Sequence, residues 1–399
     1  MKRQLRYLGA FSIVTGIAFA TAIAEPPPGL FEADPEGINT AIEAQKRHTR
    51  SLRLNKGVLG TGVSWDQVEA TAVVKIFTNR PNINGLPSFI DGKPVVVENI
   101  GDVKALGYIP QIIPDESTAE PLAGGTVPTD RFDRPVPIGV SVGHPGVTAG
   151  TLGCRVNSGC HNYILSNNHV IAGSNNAAIN DNILQPGVYD GGLNPADTIG
   201  YLEAFVPLVF IPLDNRGFPD CGGFREPDCP ENDVDAAIAF VELADVQNST
   251  PANGYGTPSS QTITPYVGQK VMKYGRTTGL TYGYIDSINV NVDVAYGSNT
   301  ARFDTQILIK PAPGVAAFAS PGDSGSLIVA ADANYPQEDC VTDPQAAGYP
   351  CAPEYPPVDE ERKGVGLLFA SGTLGGNPVT IANHIDIALT ELGVTIDGD

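Results

Sequence analysis

The sequence predicts an all-β protein: two successive units of short antiparallel strands closed by a C-terminal helix, preceded by a small α+β segment. Three observations carry this reading. Apolar, β-branched runs of about four to eight residues recur from residue 138 onward, separated by Gly, Pro and Asn turns. Helical spacing appears only near the two ends, in residues 36–53 and Ile385–Leu392. No repeat of solenoid period interrupts the pattern.

Taken in order, residues 1–24 have the make-up of a signal peptide. Lys2, Arg3 and Arg6 precede a largely apolar stretch, and Ala22-Ile23-Ala24 offers a small-x-small cleavage site. An uncleaved anchor is the alternative, but the apolar run is short for a span. Residues 25–107 read as a small α+β unit: a helix from Ile38, Ile42 and Ala44, then strands near 57–63, 71–78 and 93–97. No convergent polar constellation lies there, so a pro-region or accessory role is expected. A Pro/Gly/Asp/Thr-rich linker occupies 108–134.

The first β unit is expected over 135–265 and the second over 266–399. Each carries an insertion rich in Pro and acidic residues, at 214–231 and 331–363. Six cysteines fall as three close pairs, Cys154/Cys160, Cys221/Cys229 and Cys340/Cys351. Fifteen pairings are formally possible, and the local one is expected in an oxidising compartment. Zinc is the alternative, but no C-x-x-C occurs and no histidines accompany the pairs. The acids of the first insertion lack an EF-hand pattern for calcium, so a solvent loop is favoured there. No metal and no cofactor is expected.

The formal net charge of −20 disfavours nucleic acid and anionic membrane surfaces as partners, and removal of the leader's three cations deepens it. The expected product is a soluble exported protein, secreted or periplasmic, of open oligomeric state.

Three local contexts carry chemistry. Ser320-Pro321-Gly322-Asp323-Ser324-Gly325-Ser326 precedes the apolar Leu327-Ile328-Val329, a tight loop feeding a buried strand. A serine so held can attack a carbonyl once a base takes its proton, with the Gly322 and Ser324 N–H groups converging on the oxyanion. His169, one of five histidines, closes an apolar strand running into a polar turn. Asp235 enters the apolar run 236–241, where a carboxylate needs a hydrogen-bonding partner. Singly, each has a plain reading: a turn, a satisfied core histidine, a strand-edge acid.

Together, in the order His…Asp…Ser, they resemble the chymotrypsin/trypsin superfamily of serine peptidases. The resemblance runs from about Pro135 to the C-terminus and rests on Ser-Asn-Asn-His-Val, Val-Asp-Ala-Ala-Ile-Ala and Gly-Asp-Ser-Gly. The α/β-hydrolase order and its Gly-x-Ser-x-Gly elbow are absent. The resemblance implies two antiparallel β-barrels of chymotrypsin type, with Ser324 as nucleophile, His169 as base and Asp235 orienting the imidazole. Asp233, on the same strand face, is the rival acid.

Gly275-Arg276-Thr277-Thr278-Gly279 is similar to a segment of the bacterial α-lytic protease group and implies Arg276 as the fixed cation for Asp323. The Arg134-Pro135 sequence, by contrast, resists a trypsin-like activating cut. Phe318, Ala319 and Ser320, with Ala370, Ser371 and Gly372, are expected to wall the first substrate pocket. Neither stretch carries an acid, which argues against Lys/Arg preference.

The reading is therefore a secreted serine endopeptidase acting on proteins or peptides. An esterase with the same triad and an inactive binding or scaffold protein are the alternatives.

Overall fold

The computed structural model describes residues 35–107, 127–212, 229–336 and 360–399. The signal-peptide segment, most of the expected linker and most of both acidic insertions lie outside them, as do Cys221, Cys340 and Cys351.

The fold is all-β, as expected. Six strands of the C-terminal unit follow one another edge to edge: Asn299–Pro311, Asn377–His384, Gly364–Leu374, Leu327–Ala330, Lys270–Gly275 and Gly279–Tyr296. Antiparallel pairing of Gly279–Tyr296 with Asn299–Pro311 closes them into a barrel. Closure removes free edges and surrounds a core of side chains, here including Ile285, Ile307, Ile309, Phe318, Ile328 and Leu368.

The preceding unit is a six-stranded sheet in which His161–Ser166 lies between Cys154–Ser158 and Ala237–Val241. Its core shares Met272, Tyr274, Leu327 and Leu367 with the second unit, so the two are packed as one body. The closing helix Ile385–Leu392 ends at Gly393, in the left-handed region at φ 66°. The chain then pairs Thr395–Ile396 with Cys154–Ser158 of the first unit.

The N-terminal helix, Pro35–Leu52, packs on the hairpin Val58–Asp66 and Thr71–Thr78 through Ala41, Ala44 and Leu52. This unit does not stand apart. Val58–Asp66 pairs antiparallel with Gly279–Tyr296, matching Gly60 with Val292 and Thr61 with Asn291, and so extends the second unit's sheet. Buried charges lock the junction. Lys75 Nζ meets Asp286 at 2.7 Å and Glu98 at 2.9 Å, Lys310 meets Asp286 at 2.7 Å, and Arg53 meets Asp293 at 2.9 Å. Burial alone would raise both aspartates, but these cations outweigh it and hold them below the usual carboxylate range.

The expected Cys154–Cys160 disulfide is corrected: both are free thiols. Cys154 is buried at the start of Cys154–Ser158, whereas Cys160 lies in the hairpin turn at its other end. Four steps of about 3.3 Å separate the strand's ends, well beyond the Cα spacing that a disulfide spans. Cys229 is disulfide-bonded. Among the described residues no cluster of three His, Cys, Asp or Glu is arranged to hold a metal.

Candidate active site

Strand register brings His169 and Asp235 together. Ala237 pairs with Ser166, so the residues just beyond each strand end emerge side by side. His169 sits on the single helical turn Asn168–Ile171 that follows. Its Nδ1 lies 2.5 Å from Asp235 Oδ2, and its backbone N–H donates to Oδ1 at 3.2 Å. Asp235 is fully buried, and its main chain is also held: its N–H donates to Asn383 Oδ1 at 3.1 Å, and its carbonyl accepts from Asn167 at 2.7 Å. Asp233, the rival acid, lends only its carbonyl, to Gln306.

Sequence reasoning missed Tyr296. Its hydroxyl donates to Asp235 Oδ2 at 2.8 Å, and its ring meets the imidazole edge-on at 5.8 Å. Burial, then the adjacent carboxylate, pushes this phenol well above its ordinary range, so it stays a donor. Tyr296 ends a long hairpin strand some 60 residues downstream, and no local pattern marks it.

Ser324 is contributed by the loop before Leu327–Ala330. Gly325 N–H donates to Leu368 at 2.8 Å, and Thr151 N–H donates to the Ser324 carbonyl at 2.7 Å. The loop is thereby tied to both units. Gly322 has φ +99°, a backbone state that L side chains rarely adopt, and a Cβ there would also strike Arg276 and Thr277. The serine hydroxyl donates to the Phe369 carbonyl at 3.1 Å, while His169 Nε2 has no protein partner.

The Arg276–Asp323 pair is corrected. Arg276 turns to Asp190 in a two-point pair, Nε to Oδ2 at 2.6 Å and Nη2 to Oδ1 at 2.5 Å. Asp323 instead receives N–H groups from Thr277 at 2.8 Å, Thr278 at 3.2 Å and Ser320 at 2.9 Å, and the Thr278 hydroxyl at 2.7 Å. Its cation is Lys273, with Nζ 3.4 Å away and both side chains wholly buried. Burial lowers this lysine's pKa, while Asp323 opposes the shift. The Gly-Arg-Thr-Thr-Gly segment therefore reaches Asp323 through its threonines. Lys273, at an inward position of Lys270–Gly275, carries no motif, whereas Arg276 does.

The cleft is filled by the chain itself. Residues 104–105 lie as a strand between Gly364–Leu374 and Gly279–Tyr296, matching Ala105 with Ala370, Lys104 with Ser371, and Lys104 with Ala295. Leu106 N–H donates to the Phe369 carbonyl at 3.0 Å, and the Leu106 carbonyl accepts from Gly322 N–H at 2.8 Å. The Leu106 side chain is buried in the cluster that contains Phe318, Ala319 and Leu368. Gly107 covers the imidazole: a Cβ on it would stand 2.7 Å from His169 Nε2 and nearer still to Cδ2.

Of the expected pocket residues, Phe318 and Ala319 share a cluster with Leu106, and Ala370 and Ser371 border the inserted strand. The Thr373 N–H beside Gly372 donates to Ile100 at 2.6 Å. Ser320 serves Asp323 instead. Beyond His169 the cleft continues as a cavity of about 870 Å³, lined by His144, Thr148, Asn175, Phe210 and Tyr296 among others.

No family model matches the chain, and neither does any curated protein. Solved structures similar to it include a glutamic-acid-specific serine protease with a histidine triad in substrate binding. That structure is 19% identical, covers 65% of this chain and all of its own, and has a TM-score of 0.40. Thermobifida fusca protease A is 13% identical over 66% of this chain and 99% of its own, with a TM-score of 0.39. Cellulomonas bogoriensis chymotrypsin is 15% identical over 66% and 99%, with a TM-score of 0.38.

Proposed function

We propose that the chain is a serine endopeptidase in which Ser324 is the nucleophile, His169 the general base and Asp235 the carboxylate that orients it. One observation supports this above the rest. A buried Asp–His pair of 2.5 Å leaves Nε2 unpartnered and facing a backbone segment whose carbonyl is already held by Gly322 N–H. That is the arrangement acyl transfer requires: an oriented base, a donor aimed at the oxyanion and a hydroxyl on the same loop.

In the proposed reaction the Ser324 hydroxyl turns from the Phe369 carbonyl and gives its proton to His169 as Oγ attacks the substrate carbonyl. The oxyanion is received by the N–H groups of Gly322 and Ser324. His169 then passes its proton to the leaving amine, and water completes the cycle through the same base. Asp235, held also by the Tyr296 hydroxyl, fixes the tautomer that keeps Nε2 available and stabilises the imidazolium. The substrates are proteins or peptides, bound extended along residues 370–372 as an added strand. An exported location is proposed from the leader-like residues 1–24; among the described residues no helix is long and apolar enough to cross a membrane.

Peptide hydrolysis by the folded variants Ser324→Ala, His169→Ala and Asp235→Asn tests the assignment. Each is expected to fall by about four orders of magnitude. Near-wild-type turnover by folded Ser324→Ala rejects it.

A further inference from the structure

We infer that the Leu106–Gly107 peptide bond is the protein's own first substrate, and that the pocket holding Leu106 selects leucine-sized aliphatic side chains followed by glycine. The inference rests on the peptidase reading above and adds to it a cleavage site, a substrate class and a latent state.

The segment sits as a substrate would. It is paired on both sides, antiparallel to Gly364–Leu374 and parallel to Gly279–Tyr296, and Ala295 N–H donates to the Val103 carbonyl at 2.9 Å. Beyond the bond, the Thr148 hydroxyl donates to the Gly107 carbonyl at 3.0 Å. The carbonyl between these anchors, that of Leu106, is the one that Gly322 N–H receives. A docked strand positions one carbonyl only, because its register is fixed by hydrogen bonds on either side.

The side chains at the bond are as closely specified. Leu106 is 3% exposed and shares its buried cluster with Phe318, Ala319 and Leu368, so a carboxylate or ammonium in its place would have to be buried against these apolar side chains. A shorter side chain leaves a void, and each missing methylene in an apolar pocket costs about 10-fold or more in discrimination. At the next position a Cβ would stand 2.7 Å from His169 Nε2, so any side chain there must displace the imidazole and glycine is favoured.

Cleavage balances with one water. Ser324 Oγ bonds to the Leu106 carbonyl carbon, its proton passes through His169 to the Gly107 nitrogen, and the C–N bond breaks. Water then hydrolyses the acyl-enzyme, leaving a Leu106 carboxylate and a Gly107 ammonium. Until that happens the segment excludes other substrates, with Ser324 fully buried and His169 only 6% exposed. The uncut chain is latent.

The test expresses the full chain as wild type, Ser324→Ala, Leu106→Asp and Gly107→Val, and reads intact mass, N-terminal sequence and labelling by a fluorophosphonate. Wild type is expected to yield a new N-terminus at Gly107, and Ser324→Ala none. Gly107→Val should slow the cut by about 100-fold through displacement of the bond. Leu106→Asp should stop it yet admit the probe to Ser324, because an unpaired buried carboxylate expels the segment. The cut protein should prefer Leu-Gly peptides over Ala-Gly by at least about 10-fold and over Asp-Gly by at least about 100-fold. A cut at another bond, an undiminished cut in Leu106→Asp, or equal rates on the three peptides overturns this inference. With Ser324 still labelled in Leu106→Asp, the peptidase reading survives that failure. No labelling in any folded variant overturns both.

Discussion

Replacing Lys273 by methionine is the sharpest stability test, because it separates the observed Asp323 partner from the one its sequence context implied. Both side chains of the pair are wholly buried, with Nζ 3.4 Å from the carboxylate. Removing one member of a buried pair costs about 3–5 kcal/mol, since the other charge stays behind without compensation. Four hydrogen bonds remain on Asp323, from Thr277, Thr278 twice and Ser320, so the low end of that range, about 3 kcal/mol, is expected. At about 2–4 °C per kcal/mol, the melting temperature should fall by roughly 6–12 °C. The assay is calorimetric melting in a Ser324→Ala background, which removes self-digestion. Adding Asp323→Asn removes the orphaned charge but turns an amide NH2 toward one of these donors. The double variant should therefore lose less than the sum of the two singles without regaining wild-type stability, a coupling that a double-mutant cycle reads directly. Turnover in an otherwise wild-type chain should fall by about 100-fold, because Asp323 lies between Gly322 and Ser324 and fixes the donors. A Lys273→Met loss below about 1 kcal/mol, or a double variant no better than the sum of the singles, would refute the reasoning.

Tyr296→Phe removes one donor to Asp235 and should lower kcat about 10-fold with KM little changed; an unchanged kcat would count against a positioning role. Acid should destabilise the fold in two stages. His384 is pushed down to about 4 by burial, so its contribution is present above its ordinary value of 6.5 and drains away as pH falls towards 4. Asp286 and Asp293 are also depressed, so their contribution is present above the unfolded carboxylate range and is lost only on further acidification. Melting temperatures of Ser324→Ala between pH 7 and pH 3 should show both stages, and His384→Asn should lack the first. Native alkylation should modify Cys160 and spare Cys154, whose thiol is buried and pushed well up by desolvation; equal modification would contradict the described hairpin.

Much of this was legible in sequence because it is local. Helical spacing marks Pro35–Leu52 and Ile385–Leu392, and alternating apolar runs mark the strands. His169, Asp235 and Ser324 each stand in a distinctive context, and strand register does the rest. What escaped depends on pairings distant in sequence. Tyr296 reaches Asp235 across 61 residues, Arg276 reaches Asp190 across 86, and neither Tyr296 nor Asp190 is set off by its neighbours. Lys273 is hidden in an apolar strand, where a lysine reads as an outward-facing residue until its burial is seen. The N-terminal unit reads as separate from its composition, yet its hairpin finds an unpaired edge on Gly279–Tyr296 and its last residues enter the cleft. Cys154 and Cys160 are close in sequence, but extended backbone holds them apart.

The most direct measurement of the central claim is mass-spectrometric mapping of a fluorophosphonate adduct on the wild-type and Leu106→Asp chains. The account predicts a single adduct on the peptide containing Ser324, lost in Ser324→Ala and strongly slowed in His169→Ala. An adduct that persists in Ser324→Ala, or its absence from both the self-cut wild type and the folded Leu106→Asp chain, would contradict it.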